Sequence, residues 1–118
     1  MTDADALPLH GIRVVEFSHM VMGPTCGLIL ADLGADVIKV EPAPDGDKTR
    51  RLRGAGAGFF AIMSRNKRSV ALDLKARQGL DAALRLIRTA DVVIENFRPG
   101  AMDRLGLGYE TLRQDNPG

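Results

Sequence analysis

The chain has no tryptophan, one tyrosine, one cysteine and two histidines. The single cysteine, Cys26, can close no internal disulfide, which suits a reducing compartment and a cytoplasmic location. One cysteine and two histidines form no ligand cluster, so no metal site is expected. Nothing approaches the roughly 18 consecutive apolar residues of a membrane span. Residues Met1 to Leu9 carry Asp3 and Asp5 and no apolar run, which argues against a signal peptide. No internal repeat occurs. Net charge is only +1, so the overall balance names no polyanionic or polycationic partner.

What remains is ordinary globular composition. Of 118 residues, 45% are hydrophobic and 26% charged, enough for one compact domain. The charge is unevenly spread. Lys48, Arg50, Arg51, Arg53, Arg65, Lys67, Arg68 and Lys75 face a single acid, Asp73, between positions 48 and 75. Such a stretch either meets a polyanion or forms a solvated loop.

Periodicity gives an alternation of strands and helices. Ile12 to Phe17 is rich in β-branched residues and predicts a strand. Pro24 is placed at the first position of a helix through Leu33, with Gly34 just beyond its end. The polar side chains in this helix are Thr25 and Asp32. A helix apolar almost all round is expected to be buried, as at a subunit or domain contact. Val37 to Glu41 is a second strand, which completes a βαβ unit. Pro42 to Gly58 reads as a long loop, functional or mobile. A short apolar element at Phe59 to Met63 precedes a strand at Ser69 to Leu74. Leu80, Ala83, Leu84 and Ile87 mark one face of a helix from Ala76 to Thr89. Val92 to Glu95 is the next strand. Short helices are expected from Pro99 to Gly106 and from Tyr109 to Asp115. In such a pattern the closing Asn116-Pro117-Gly118 turn should feed another strand, so the chain is expected to be a segment of a longer protein.

Three local chemistries compete. Glu41 ends the second strand, where an acid would hold a ribose, but the turn after the first strand has one glycine where a dinucleotide fingerprint needs three. Ser18, His19 and Cys26 could make a nucleophile and base, yet Cys26 in an apolar helix reads as a packed thiol. The third is the set of loops at strand C-terminal ends, where α/β proteins place ligands. His19 to Met22 and Asn96-Phe97-Arg98 could offer amide, aromatic and cationic groups to one crevice. Nucleic-acid binding through residues 48 to 68, with Phe59 and Phe60 for stacking, has no supporting motif.

Taken together, several blocks resemble class III (CaiB/BaiF-type) CoA-transferases. They are Leu9-x-Gly11-Ile12-Arg13-Val14-Val15-Glu16-Phe17, Gly23-Pro24, Leu33-Gly34-Ala35-Asp36-Val37-Ile38-Lys39-Val40-Glu41-Pro42, Gly46-Asp47, Asn66 to Lys75, Ala90 to Gly100, and Arg104-Leu105-Gly106-Leu107. The resemblance implies an α/β fold with a Rossmann-like, mostly parallel sheet, residues 1–118 being the N-terminal part of the large domain of an interlocked-ring homodimer. It implies transfer of CoA from an acyl-CoA to a free carboxylic acid. An aspartate carboxylate attacks the thioester, giving a mixed anhydride and then an aspartyl-CoA thioester. CoA and acyl-CoA enter as substrates, and no cofactor is bound covalently.

Position by position, the resemblance places CoA contacts at His19, Met20 and Val21, at Leu72 and Lys75, at Asn96, Phe97 and Arg98, and at Ala101, Arg104 and Leu105. No aspartate of this chain occupies the nucleophile's place, which is expected downstream, so the segment alone should be inactive. Asp73 and Asp91 read as structural. Formyl-CoA-type members carry glutamine where this chain has Val21, which points to a less polar acyl group. The related α-methylacyl-CoA racemases, and a non-catalytic CoA-binding or dimer-forming module, are the alternative readings. Nucleic acid and membrane are not expected partners.

Overall fold

The computed structural model describes residues 6–118. Strands β1 (Arg13–Phe17), β2 (Asp36–Pro42), β3 (Lys67–Leu72) and β4 (Val92–Glu95) form one sheet in the order β3-β2-β1-β4, with every pairing parallel. Helix α1 (Met22–Asp32) connects β1 to β2, and α3 (Arg77–Ile87) connects β3 to β4. Between β2 and β3 the expected loop contains two 3-10 turns, Lys48–Arg51 and Gly54–Gly56, and the short apolar element is helix α2 (Phe59–Met63). Helices α4 (Ala101–Arg104) and α5 (Tyr109–Asp115) follow β4. The α/β, Rossmann-like expectation is therefore met. After β3 the chain crosses to the far side of β1, so strand order reverses between β1 and β4. In open α/β sheets that point is where ligands bind, beyond the strands' C-terminal ends.

Alternation along the strands sends side chains to two helical layers. Val15, Phe17 and Val40 pack with Ala83 and Ile87 of α3 and with Met102 and Leu107. Val14 and Val37 pack with Ala31 and Ala35 on the α1 side. The predicted face of α3 is the face that is buried, because its apolar residues recur with the helical period.

Helix α1 differs from the expectation in two ways. It begins at Met22, so Pro24 is its third residue; a missing N–H is harmless anywhere in a first turn, where donors have no intrahelical acceptor. It is not buried all round: Met22, Cys26, Ile29 and Leu33 are exposed, and their spacing puts them on one stripe facing away from the sheet. Cys26 is thus a surface thiol, since composition could not show which side of α1 the sheet covers. The expected Gly34 stop holds, with φ of +103° in the region glycine occupies without strain. Helix α4 is shorter than the expected Pro99–Gly106 span.

Candidate functional site

The switch point is built by the loops after β1 and β4. The Asn96 side chain clamps the first loop from across the sheet: its Oδ1 accepts the His19 N–H at 3.1 Å, and its Nδ2 donates to the His19 carbonyl at 2.9 Å. The His19 and Phe97 rings stack with centroids 5.4 Å apart and planes 24° from parallel. Met20 has φ of +63°, a left-handed conformation costly for a side chain with a Cβ, and its N–H donates to Thr49 Oγ1 at 2.9 Å. Helix α1 starts hard against this junction. A Cβ on Gly23 would lie 2.6 Å from the Ser18 Cβ and 2.9 Å from the Asn96 Cγ, so glycine permits the approach.

Beside the junction lies a cavity of about 310 Å³ whose walls include Phe17, Pro42, Leu72, Lys75, Phe97 and Leu105. Leu72, Lys75, Phe97 and Leu105, expected from separate sequence blocks, thus share one wall system. Arg98 instead lines a second cavity of about 380 Å³, with Glu95 and Gly100. Arg104 is exposed on α4 and Ala101 half-buried, and neither lines these two cavities; Val21 is half-buried at the start of α1 and likewise outside them. The assembly offers apolar and aromatic walls, a side-chain amide engaged in shaping a backbone loop, and exposed cations nearby. That combination suits an anionic ligand with an apolar body.

The cation-rich stretch is not a free polyanion-binding surface. Arg50 makes paired hydrogen bonds of 2.7 Å to both Glu41 oxygens and lies 3.9 Å over the Phe60 ring. Arg65 pairs with Asp32, Arg68 with Asp36, and Lys67 with Glu16. These acids lie far away in sequence, so local charge counting could not see the neutralisation. Phe60 is engaged under Arg50, which removes support for the base-stacking reading. Lys48, Arg51, Arg53 and Lys75 remain exposed without a carboxylate partner among the described residues, Arg51 donating to the Asp45 carbonyl instead. Glu41 is no ribose ligand either, being 2% exposed. Burial alone would raise its pKa, but hydrogen bonds from Arg50, the Asp47 N–H and the Ser69 hydroxyl hold it at about 2.

The largest feature missed in the sequence is a buried ionic cluster on the α1 side of the sheet. Glu16 is fully buried and Lys39 is 1% exposed. They face each other in register across β1 and β2, with Lys39 Nζ 3.3 Å from Glu16 Oε2. Lys67 Nζ reaches the same carboxylate, 2.9 Å from Oε1, and donates to the Pro24 carbonyl of α1 at 2.8 Å. Burial pushes the Lys67 ammonium below the ordinary lysine range, and the Glu16 carboxylate opposes that fall. A Cβ on Gly27 would sit 1.7 Å from Glu16 Oε1, so this glycine lets α1 lie directly on the carboxylate. A signal was present: strands of a parallel sheet read as continuous apolar runs, and Glu16, Lys39 and Glu41 interrupt them. Asp91 and Asp73 accept backbone N–H groups, the first from Arg13 across the sheet at 2.9 Å and the second from the neighbouring Lys75 at 3.1 Å.

The model of CoA-transferase family III matches residues 9–118. The chain belongs to CoA-transferase family III. Among curated relatives of this family III chain, a probable fatty acyl-CoA transferase of Mycobacterium tuberculosis is 47% identical over 98% of this chain and 31% of its own length. A formyl-CoA:oxalate CoA-transferase of Afipia carboxidovorans is 42% identical over 95% of this chain and 27% of its own. A crystal structure of the M. tuberculosis protein superposes with a TM-score of 0.89, covering 95% of this chain and 31% of that one. A CaiB/BaiF family protein from Brucella suis gives 0.85 at 44% identity, over 93% and 31%. The chain therefore spans about a third or less of the relatives it matches. In this family III segment, no helix among the described residues is long and apolar enough to cross a membrane.

Proposed function

We propose that this segment supplies the CoA-binding part of an enzyme that moves CoA from an acyl-CoA to a free carboxylic acid. One observation carries the reading: at the C-terminal ends of the strands, beside the clamped loop after β1, residues at the ends of β1 and β2 and from the segments after β3 and β4 line one cavity. There the cavity walls of Leu72, Phe97 and Leu105 offer apolar cover to a pantetheine or adenine, and Lys75 at the same wall offers a cation to phosphate. Arg98 and Arg104, both exposed, extend the cationic edge. The Asn96 clamp on His19 fixes the backbone just before Met20 and Val21.

The chemistry that follows is covalent catalysis by a carboxylate. The carboxylate attacks the thioester to give a mixed anhydride and CoA thiolate, and the thiolate attacks the enzyme-side carbonyl, releasing the donor's acid and leaving an enzyme thioester. The acceptor carboxylate attacks that thioester to give a second anhydride and CoA thiolate, whose attack on the acceptor's acyl carbon releases the new acyl-CoA and the enzyme carboxylate. Asp73 and Asp91 hold backbone N–H groups, and we assign the nucleophile to the part of the protein beyond this segment. Val21 places an apolar side chain in the loop after β1, which favours an acyl group less polar than formate or oxalate. An interlocked homodimer in the cytoplasm completes the proposal.

Calorimetric titration of CoA into the protein tests the binding half. Saturable binding that Asn96→Ala weakens about tenfold is expected, and absence of binding at millimolar CoA overturns it. Incubation of the whole enzyme with acyl-CoA and labelled carboxylic acid tests the reaction: label in the thioester pool supports transfer. Inversion of an α-methyl centre without label exchange would instead assign a racemase.

A further inference from the structure

We propose that Lys39 is a positioning residue, acting through Asp47 and Thr49 to preset the backbone of the loop after β1. This inference rests on the CoA-site reading above and deepens it. In sequence Lys39 is one residue of the Leu33 to Pro42 block. In the structure its ammonium is 1% exposed and reaches the loop at both ends. At one end Nζ donates directly to the Ser18 carbonyl at 2.9 Å and to the Ser18 hydroxyl at 3.1 Å. At the other, Nζ lies 3.1 Å from Asp47 Oδ2, and Asp47 Oδ1 accepts the Thr49 hydroxyl at 2.8 Å and the Thr49 N–H at 2.9 Å. Thr49 Oγ1, its proton committed to Asp47, accepts the Met20 N–H at 2.9 Å.

The residue between, His19, has its N–H and carbonyl taken by Asn96. From the Ser18 carbonyl to the Met20 N–H, every backbone polar group is therefore held by a side chain. Two clamps do it, one from β4 and one from the Lys39 relay. The loop needs holding, because Met20 sits at φ of +63°, which a non-glycine residue adopts at a cost. Asp47 and Thr49 are 3% and 2% exposed, so the Lys39–Asp47 ion pair lies away from water, where charges are screened least. The relay also gives the 3-10 turn Lys48–Arg51 a purpose. The turn presents Thr49 to the site loop, while its Arg50 is anchored on Glu41.

The test compares CoA affinity with melting temperature in three variants of the whole protein. Lys39→Met alone strands the Asp47 carboxylate and should lower both. Lys39→Met/Asp47→Asn removes both charges together and leaves the Glu16–Lys67 pair in place. It should regain most of the melting temperature yet bind CoA at least tenfold more weakly than the parent. Thr49→Val keeps the volume and removes the acceptor for the Met20 N–H, with an expected five- to tenfold loss, and Thr49→Ser should restore binding. Parental affinity in the charge-neutral double variant or in Thr49→Val overturns the positioning role, and so does failure of Thr49→Ser to rescue. If the double variant does not fold, the Thr49 pair decides alone. A parent that binds no CoA overturns the CoA-site reading instead, and that titration is run first.

Discussion

On the α3 side of the sheet, Val15, Phe17 and Val40 meet hydrocarbon from Ala83, Ile87, Met102 and Leu107. On the α1 side, Glu16, Lys39 and Glu41 of the same two strands meet lysines, hydroxyls and an arginine. The apolar face gains free energy roughly in proportion to area removed from water and tolerates small changes of shape. The ionic face gains little net free energy, since desolvation offsets attraction, but each group demands its partner at a fixed place. It is also the face that reaches the site, through Ser18, Asp47 and Thr49. Hydrocarbon holds this domain together, and buried charge touches the loop after β1, through Lys39 on Ser18 and through Asp47 and Thr49 on Met20.

The largest break in that contrast should come from Glu16→Gln. It leaves two buried ammonium groups, Lys39 and Lys67, without their shared carboxylate, and should cost about 3–5 kcal/mol in urea unfolding. A loss near that of an exposed pair would mean water reaches the cluster.

Acid should separate the faces next. Glu41 has a folded pKa of about 2 against an ordinary 4.5, so its contribution is complete above about 4.5, declines as pH falls through that window, and is gone below about 2. Asp36 adds to the trend in the same direction: burial would raise its pKa, but Arg68 and Arg13 together hold it below the ordinary range. Unfolding of the parent and Glu41→Gln at pH 7, 4 and 2.5 should show a gap that narrows with acid; a constant gap would refute the assignment. The smallest effect belongs to the apolar face. Ile87→Val should cost about 0.5–1.5 kcal/mol, equally at each pH, and leave CoA affinity unchanged in the calorimeter.

Much of this architecture was legible beforehand, for reasons that differ by residue. β4 and α5 have the bounds expected of them, and α3 the expected buried face, because period and turn residues are local properties. Asn96 and Phe97 are legible as a strand-end loop, the place where open α/β sheets put their ligands. Cys26 was misplaced, and the Glu16–Lys39–Lys67 cluster went unread. Each depends on which side of a helix or strand another element covers. In sequence Lys67 is one of eight clustered cations with a single acid among them, because its partner Glu16 lies 51 residues away.

By itself, then, the sequence determined the order of strands and helices, the apolar faces of the core, and which loops could hold a ligand. Those follow from side-chain periodicity and backbone preference, which act over a few residues. Only the tertiary structure decided where the charges go: which cations are spent on acids across the sheet, and which carboxylates sink beneath α1. It also decided how a lysine in the middle of β2 comes to hold the loop after β1. Coulombic and hydrogen-bond partners are chosen by distance in space, and strand order puts Glu16, Lys39 and Lys67 side by side from three different parts of the chain.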